Sequence, residues 1–232
     1  MRSTNMVNCY EEGNWQRMFD KFLNLEPEKQ ERILNAAMKE FAQKGYKHAS
    51  TNDIVAEAKI SKGLLFHYFQ NKKELFLFLN DFIMDHILNE FFAKIDLNET
   101  DLFLRIKQFV TLKIEVINKH PEMFNFLLAA RTEDAPEVKA ELDRRDKSVT
   151  ASGQAKLFEN LDFSQFQEGI DIDKAINILM WTMEGISNRE KEKAVTNSLI
   201  INQKYYDEIV SEMDGYIELF KSCWYRKPEK ES

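Results

Sequence analysis

The sequence has 232 residues, of which 44% are hydrophobic and 31% charged, and it contains only 7 Gly and 4 Pro. This length allows one large domain or two smaller ones with a sizeable core, and the scarcity of turn-forming residues disfavours an all-β chain. The formal net charge of −7 disfavours nucleic-acid binding by the chain as a whole, but residues 27–72 hold eight Lys and Arg against five Asp and Glu. This asymmetry predicts a basic head on an acidic body.

Motifs of the common enzyme classes are absent from the sequence. It has no Gly-rich phosphate loop and no nucleophile elbow, and Cys9 and Cys223 lie near opposite ends without metal-ligand spacing. We therefore expect no enzyme activity, no cofactor and no metal site, in a reduced cytoplasmic protein without a signal sequence or membrane span. Four scattered histidines are expected to form no common site: His48, His67, His86 and His120.

Two amphipathic helices are predicted before Gly45. Apolar residues recur at spacings of three and four over 14–25, which predicts a helix in an N-terminal extension (1–26) that packs on its own body. A second helix is predicted from Pro27, a favourable first helical residue, to about residue 44, where Gly45 ends it. Its buried stripe is expected to comprise Ile33, Ala37 and Phe41.

Residues 50–72 predict two short helices joined by a tight corner. The Ser-Thr pair at the start of this segment can cap the first helix, with Asp53 placed to complete a capping box. Residues 59–61 are too few for anything but a turn, and Ser61 is a natural N-cap for a second helix over about 62–69. This arrangement is a helix-turn-helix, whose second helix lies in the DNA major groove.

A long helix is predicted after this unit. Asn71 can cap it, and the apolar residues that follow cover more than one face, as expected for a helix that links two parts of a protein. Further helices are predicted over 101–119, 121–130, 136–160, 173–187 and 204–223, with loops or frayed helix ends over 162–172 and 188–203. The predicted fold class is all-α, because no period-two alternation persists.

A pattern of residues at fixed offsets covers 33–76: Ala36, Ala37, Phe41, Gly45, Tyr46, Thr51, Ile54, Ala58, Ser61, Gly63, Leu65, Tyr68, Phe69 and Lys72. On this pattern the N-terminal third of the chain resembles the DNA-binding domain of the tetracycline-repressor (TetR) family. The resemblance implies an all-helical homodimer with a three-helix DNA-binding head (27–72) and a fourth helix that leads into a larger domain (73–232). In that domain a small molecule binds and two late helices form a four-helix dimer interface.

Two positions depart from the family pattern. Lys59 stands where the family usually has glycine, so either it adopts a left-handed conformation at a cost of roughly 1 kcal/mol or the turn differs slightly. Phe66 stands where the family usually has tyrosine, which removes a hydroxyl that could bind phosphate or base.

The second helix of the unit is expected to face base edges. Lys62 at its start can donate to guanine, Gly63 lets the backbone approach the DNA closely, and Phe66 can touch a thymine methyl group. His67 points to the same face and reads a base or a phosphate, unless it is simply solvated. The buried residues of the head are expected to include Ile54, Ala58, Leu65 and Phe69.

Phosphate contacts are expected from Thr51, Tyr68 and Lys72, since two offer hydroxyls and the third lies in the first turn of the linking helix. Lys47, in the loop before Thr51, adds to this footprint or is solvated. Ser61, the N-cap of the recognition helix, completes the predicted DNA-binding set.

The larger domain is expected to bind a small hydrophobic effector. Met and aromatic side chains make adaptable walls for such a ligand, although each of them could equally fill a core. The predicted ligand-binding residues are Phe103, Phe109, Met123, Phe124, Leu127, Met180, Trp181 and Glu184. Apolar stripes that fit an intersubunit bundle comprise Ile176, Met180, Met183 and Ile186, then Ile209, Met213, Tyr216 and Phe220.

These features predict a ligand-responsive transcriptional regulator, most simply a repressor that its effector releases from a two-fold-symmetric operator in double-stranded DNA. An activator with the same fold is the closest alternative. A helical adaptor that binds another protein and has no DNA function is a second one, disfavoured by the basic excess of residues 27–72.

Overall fold

The computed structural model describes residues 12–196 and 203–226. Within these ranges the chain forms α-helices and no β-strand beyond one isolated bridge, which confirms the all-α prediction. The helices are α1 Glu12–Leu23, α2 Pro27–His48, α3 Thr51–Ala58, α4 Lys62–Phe69, α5 Lys72–Lys94, α6 Leu102–Lys119, α7 Pro121–Arg131, α8 Pro136–Leu157, α9 Ile172–Thr196 and α10 Gln203–Trp224. Among the described helices, none is apolar over a long enough stretch to cross a bilayer.

Helix α9 is longer than predicted. The expected loop from residue 188 is helical as far as Thr196, and residues 197–202 lie outside the described ranges. Charged side chains explain the extension: Arg189 pairs with Glu212 on α10 at 2.5 Å, and Lys193 pairs with Glu190 one turn away at 2.8 Å. Such pairs stabilise a helix whose sequence lacks an apolar stripe.

The chain folds into two compact units, one formed by residues 1–94 and 115–156 (unit 1) and one by residues 95–114 and 157–232 (unit 2). Unit 1 therefore contains the predicted head together with α5, α7 and nearly all of α8. Its core joins helices that are distant in sequence: the Phe41 ring lies 4.9 Å from Phe76 and 6.3 Å from Phe126, centroid to centroid. Helices α2, α5 and α7 consequently share one aromatic core.

Helix α1 packs on its own chain, as predicted for the N-terminal extension. The buried Phe19 ring lies 4.5 Å from Phe78 on α5, and the buried Phe22 ring lies 4.8 Å from Phe69 on α4. Burying two phenylalanines contributes on the order of 3–5 kcal/mol each against truncation to alanine. The extension is thus part of the core that supports α4.

Helix α8 is held to α5 by a buried ion pair. Asp81 is fully buried, and the Arg145 guanidinium donates to its carboxylate and to the carbonyl of Leu77. Removing one member of such a pair costs about 3–5 kcal/mol, because it leaves a buried charge without compensation.

Unit 2 is organised around Arg105, which is fully buried without a carboxylate partner among the described residues. Its guanidinium donates to the backbone carbonyls of Leu97, Glu99, Leu157 and Glu159. The Leu157 carbonyl belongs to the last residue of α8, where carbonyls lack helical partners. Arg105 therefore satisfies backbone acceptors that burial would otherwise leave unpaired.

Helices α3, α4 and α5 each begin at a side chain that caps the first turn. The Ser50 hydroxyl accepts from the Asp53 amide at 3.3 Å and the Ser61 hydroxyl accepts from the Leu64 amide at 3.2 Å. The Asn71 side-chain oxygen accepts from the Glu74 amide at 2.9 Å. These bonds confirm the N-caps predicted for α4 and α5 and assign that of α3 to the serine.

Lys59 ends α3 in the left-handed conformation, with φ 54° and ψ 48°. Of the two alternatives predicted for this position, a left-handed lysine or a different turn, the structure has the first. The Lys59 amide donates to the carbonyl of Ala56 at 3.3 Å, so the turn into α4 keeps a hydrogen-bonded helix end. The side chain thus occupies a position that glycine fills at lower cost.

Replacing Lys59 with glycine should stabilise the protein by about 1 kcal/mol, because glycine carries no steric penalty at positive φ. Urea unfolding followed by circular dichroism measures the change. Lys59→Ala is the matched control: it removes the charge, keeps the penalty and should give no comparable gain. Equal stabilities for the two variants would contradict the assigned strain.

Candidate nucleic-acid interface

The connection between α2 and α3 (residues 45–50, the α2–α3 corner) positions the helix-turn-helix. Gly45 interrupts α2 with φ 67° and ψ 174°, in agreement with the predicted helix end, and the chain then turns toward α3. The Tyr46 amide donates to the buried carboxylate of Glu133, which follows α7, at 2.6 Å. The Ser50 amide donates to Glu40 at 2.8 Å. Two carboxylates from outside the corner thus fix its backbone.

Lys72 closes the corner from the side of α5. Its ammonium donates to the carbonyls of Lys47 at 3.3 Å and Ala49 at 3.2 Å, and it lies 4.7 Å from the centroid of the Tyr46 ring. A cation over an aromatic face contributes about 0.5–2 kcal/mol. Lys72, predicted as a phosphate contact, therefore also fixes the backbone of the corner.

The charges of the head are distributed unevenly. Lys39 pairs with Glu57 at 2.7 Å, and Lys44 pairs with Glu40 and Asp53 at 2.8 and 2.9 Å. Besides Lys29, which donates to the Tyr68 hydroxyl, four lysines of the head have no carboxylate partner within the described part of the chain: Lys47, Lys59, Lys62 and Lys72. They belong to the elements that flank and form the helix-turn-helix, so its positive charge is left available to an anion.

The outer face of α4 carries the predicted base-reading residues. Lys62, Gly63 and His67 are exposed, and Phe66 is half-buried with its ring centroid 6.0 Å from the Lys62 ammonium. On the inner face, Leu65 and Phe69 are buried with Ile54 and Ala58, as predicted for all four. The structure therefore separates α4 into a core face and a solvent face, as a recognition helix requires.

The remaining predicted contacts lie around this face. Thr51 is half-buried at the first position of α3, and Ser61 is exposed at the N-cap of α4. Tyr68 is 6% exposed, and its hydroxyl lies 3.4 Å from the ammonium of Lys29 on α2, which donates to it. Lys29 was missed from the sequence, because no local pattern indicates that the first turn of α2 lies beside α4.

The predicted effector residues fall in different parts of the fold. Met123, Phe124 and Leu127 are partly buried against the core of unit 1. In unit 2, Phe103 is fully buried and its ring lies 5.1 Å from Tyr225, centroid to centroid. Phe109 and Met180 are half-buried.

Trp181 and Glu184 are exposed, with 67% of Trp181 accessible, so neither lines an enclosed cavity within its unit. The cleft of unit 2 lined by Val110, Met213 and Ile217 leaves no space for a water molecule. This cleft therefore offers no preformed site for a ligand.

The residues of the predicted dimer stripes are buried or half-buried within unit 2. Ile186 and Met213 are buried within unit 2, and the other six residues of the two stripes are half-buried. The exposed large apolar side chains of α9 and α10 are instead Ile178, Trp181 and Leu219. Ile178 and Trp181 are three residues apart and so share one face of α9.

Two of the four histidines lie together, which contradicts the expectation that they form no common site. The rings of His86 on α5 and His120, at the N-cap of α7, have centroids 5.1 Å apart. His120 Nε2 lies 2.8 Å from Glu90 Oε2, and hydrogen bonds from Lys119 and His120 lower the pKa of Glu90 to about 2. The spacing of four between His86 and Glu90 was a usable signal for one helix face, but His120 becomes their neighbour only in the folded chain.

The match to a known family lies in the DNA-binding head. Residues 33–79, which contain all of α3 and α4, match the model of the bacterial regulatory proteins of the tetR family. This part of the chain is therefore similar to the DNA-binding domain of the tetR family. The resemblance inferred from residues 33–76 is confirmed.

Two curated relatives of this chain come from Bacillus subtilis (strain 168). The uncharacterized HTH-type transcriptional regulator YuxN is 43% identical over 58 residues, which are 25% of this chain and 20% of YuxN. The uncharacterized HTH-type transcriptional regulator YhgD is 46% identical over 65 residues, which are 28% of this chain and 31% of YhgD. The matched part thus spans less than a third of each relative.

Similarity to solved structures extends over most of the chain. A proposed fatty acid metabolism regulator of Clostridium perfringens has a TM-score of 0.62 at 20% identity and covers 79% of this chain and 97% of its own. A TetR family transcriptional regulator from Chloroflexus aurantiacus J-10-FL has a TM-score of 0.59 at 20% identity, covering 90% and 98%. At these identities the likeness establishes the all-helical fold beyond the head.

Gly63 offers a test of close backbone approach to DNA. A Cβ built at Gly63 meets no atom within 4 Å, so Gly63→Ala should fold normally. If the backbone lies against DNA, the added methyl group should weaken duplex binding by at least about tenfold, or 1.4 kcal/mol. Fluorescence anisotropy with a labelled duplex measures the change.

Gly153→Ala is the matched control, because a Cβ at Gly153 on α8 also meets no atom within 4 Å. This variant should bind DNA as the unmodified protein does. Unchanged affinity for Gly63→Ala would contradict the predicted close approach.

Proposed function

We propose that the protein is a DNA-binding transcriptional regulator that acts as a homodimer, most simply as a repressor that a small effector releases from its operator. The observation that carries this proposal is the charge distribution around α4. Four lysines without carboxylate partners among the described residues flank or form the helix-turn-helix, while Lys39 and Lys44 are neutralised by acids. Unpaired lysines next to an exposed helix suit a phosphate backbone and a major groove.

In this proposal α4 enters the major groove. Lys62 lies at its first position, where side chains reach base edges, and its ammonium donates to guanine O6 or N7. Phe66 contacts a thymine methyl group and His67 a base or a phosphate. The half-burial of Phe66 supports a limited contact through the ring edge.

Phosphate binding is proposed for the residues that border α4. Lys47 and Lys72 belong to this set, since the Lys72 ammonium donates to the Lys47 carbonyl at the α2–α3 corner. Thr51 lies at the first position of α3, where backbone amides lack helical partners. Lys29 joins this set, because its ammonium lies beside the Tyr68 hydroxyl. The two groups can therefore donate to one phosphate. These contacts set the position of α4 and carry no sequence information themselves.

The effector is proposed to act by shifting the population of head positions. Helix α7 packs on α2, and Glu133 at the end of α7 holds the Tyr46 amide. Movement of α7 therefore acts on the α2–α3 corner, in addition to any signal through α5. Because two heads must match half-sites about 34 Å apart, a small displacement suffices to weaken binding.

The effector itself is proposed to be hydrophobic. The partly buried Met123, Phe124 and Leu127 lie on α7, so a ligand that separates them from the core would displace the helix that holds Glu133. Met and Phe together adapt to varied apolar ligands. This places the sensing step on the same helix as the proposed transmission step.

The homodimer is proposed to form through the late helices. The exposed Ile178 and Trp181 share one face of α9 and give it an apolar surface, and Leu219 on α10 is exposed as well. Two copies of such a surface bury aromatic and aliphatic area symmetrically, as two-fold dimers do. A two-fold protein requires a two-fold operator.

Lysine substitutions test the DNA-binding proposal. Lys62→Ala should change sequence preference, costing about 1–3 kcal/mol on the preferred duplex and less on others. Lys72→Ala should weaken binding to all duplexes alike and reduce the salt slope by about 1. Anisotropy titrations at several salt concentrations measure both quantities.

Lys39→Ala is the matched control for these variants, because Lys39 is paired with Glu57. It should leave the salt slope unchanged. Circular dichroism checks that Lys72→Ala keeps its fold, since Lys72 also donates to the α2–α3 corner. If Lys62→Ala and Lys72→Ala both bind like the unmodified protein, the proposed function is wrong.

Trp181→Glu tests the dimer surface. A charge in place of this exposed tryptophan should convert the protein to a monomer and lower its affinity for a two-fold-symmetric duplex, because buried charge opposes association. Sedimentation velocity measures the mass. Met18→Glu, an equally non-conservative change at an exposed residue of α1, is the control and should stay dimeric. A dimeric Trp181→Glu would place the interface elsewhere.

A further inference from the structure

The cluster of His86, Glu90 and His120 lies outside the proposed DNA-binding face. His86 and Glu90 lie one turn apart on α5, and His120 precedes the first residue of α7. One ligand atom from each of the three side chains lies within 4.8 Å of the other two. Two groups from α5 and one from the start of α7 thus bring two imidazoles and one carboxylate close together.

We propose that His86, Glu90 and His120 bind a first-row divalent transition metal ion such as Zn²⁺. Two histidines and a glutamate form a recognised zinc ligand set that leaves the fourth position to water or another ligand. Imidazole ligands suit zinc, copper and nickel, whereas magnesium and calcium prefer oxygen ligands. The composition of the cluster therefore selects a transition metal over the abundant alkaline-earth ions.

The two oxygens of the Glu90 carboxylate have different partners, which suits a metal ligand. Its Oε2 faces His120 at 2.8 Å, while its Oε1 accepts from Lys119 at 2.8 Å. A metal bound through Oε2 leaves the Lys119 bond to Oε1 intact, and such outer hydrogen bonds orient ligating carboxylates. The ammonium of Lys94 also pairs with Oε1, at 3.4 Å. The two lysines therefore orient the Glu90 carboxylate through Oε1 and leave Oε2 to the metal ion.

Small side-chain movements are enough to complete the site. Metal–ligand distances of about 2.0–2.2 Å place tetrahedral ligand atoms roughly 3.3 Å apart. The present separation of 2.8 Å between His120 Nε2 and Glu90 Oε2 must therefore open slightly. His86 is an exposed side chain near the middle of α5 and has room to turn.

A metal at this cluster would join α5 to the start of α7. Both helices bear on the head within unit 1: α5 carries Lys72 in its first turn, and the segment after α7 carries Glu133. Occupancy of the site therefore restrains both supports of the α2–α3 corner and alters affinity for DNA. This regulatory consequence rests on the proposed function, whereas metal binding itself does not.

Titration of the metal-free full-length chain with ZnCl₂, followed by isothermal calorimetry, tests the site. One ion per chain is expected, and His86→Ala should weaken binding by more than about tenfold, since loss of even an outer partner costs about 10–100-fold. His48→Ala, which removes a histidine of the α2–α3 corner, should bind Zn²⁺ as the unmodified chain does. Visible absorption after Co²⁺ substitution should report nitrogen and oxygen ligation that His86→Ala abolishes.

The proposal is overturned if the chain takes up no Zn²⁺ or if His86→Ala and His48→Ala lose affinity equally. His86→Ala must keep the thermal midpoint of the metal-free chain, and Glu90→Gln provides a second variant that removes one ligand charge. Anisotropy with a duplex, with Zn²⁺ and with chelator, tests the regulatory step separately. Zinc binding with identical duplex affinities would refute regulation alone, and zinc binding by a chain that binds no duplex would refute the proposed function alone.

Discussion

The α2–α3 corner is the constraint on which the DNA-binding unit depends. Its backbone turns at Gly45, where φ is 67° and an added Cβ would lie 3.1 Å from the Glu133 carboxylate. Glycine is required there for both reasons, because other residues resist this φ and would push the carboxylate away. The short bond from the Tyr46 amide to Glu133 then fixes the direction in which the chain enters α3. Charge-assisted bonds of this kind contribute about 1.5–3 kcal/mol.

This corner connects support and function. Glu40 and Glu133 hold its amides, and Lys72 holds its carbonyls, so the backbone groups of a short loop are paired with side chains from three parts of unit 1. The same lysine is also a proposed phosphate contact. A change in the position of α5 or α7 therefore reaches the corner through named hydrogen bonds, which gives the proposed regulation a physical route.

Local chemistry made much of this fold predictable from the sequence. The caps at Ser61 and Asn71, the buried stripe on α2 and the departure at Lys59 each depend on residues within a few positions of one another. The length of α9 was underestimated, because its last turns are stabilised by charge pairs, one of them with Glu212 on α10, rather than by an apolar stripe.

Features that depend on long-range contacts could not be read from the sequence. Glu133 reaches Tyr46 across 87 positions and Lys29 reaches Tyr68 across 39. His120 joins His86 only because α7 begins beside α5. Size and polarity indicate which residues could contact an effector. They do not distinguish a side chain such as the exposed Trp181 from one that lines a cavity. Tertiary packing, which local patterns do not encode, decides all of these cases.

The central claim is that two copies of this head bind one DNA site related by two-fold symmetry. Selection of duplexes from a random pool, followed by hydroxyl-radical footprinting of the enriched sequence, tests it most directly. The account predicts an inverted repeat with two protected segments about 34 Å apart on one face of the duplex, one for each α4. Failure to enrich any sequence, or protection of a single asymmetric segment by a monomer, would contradict it.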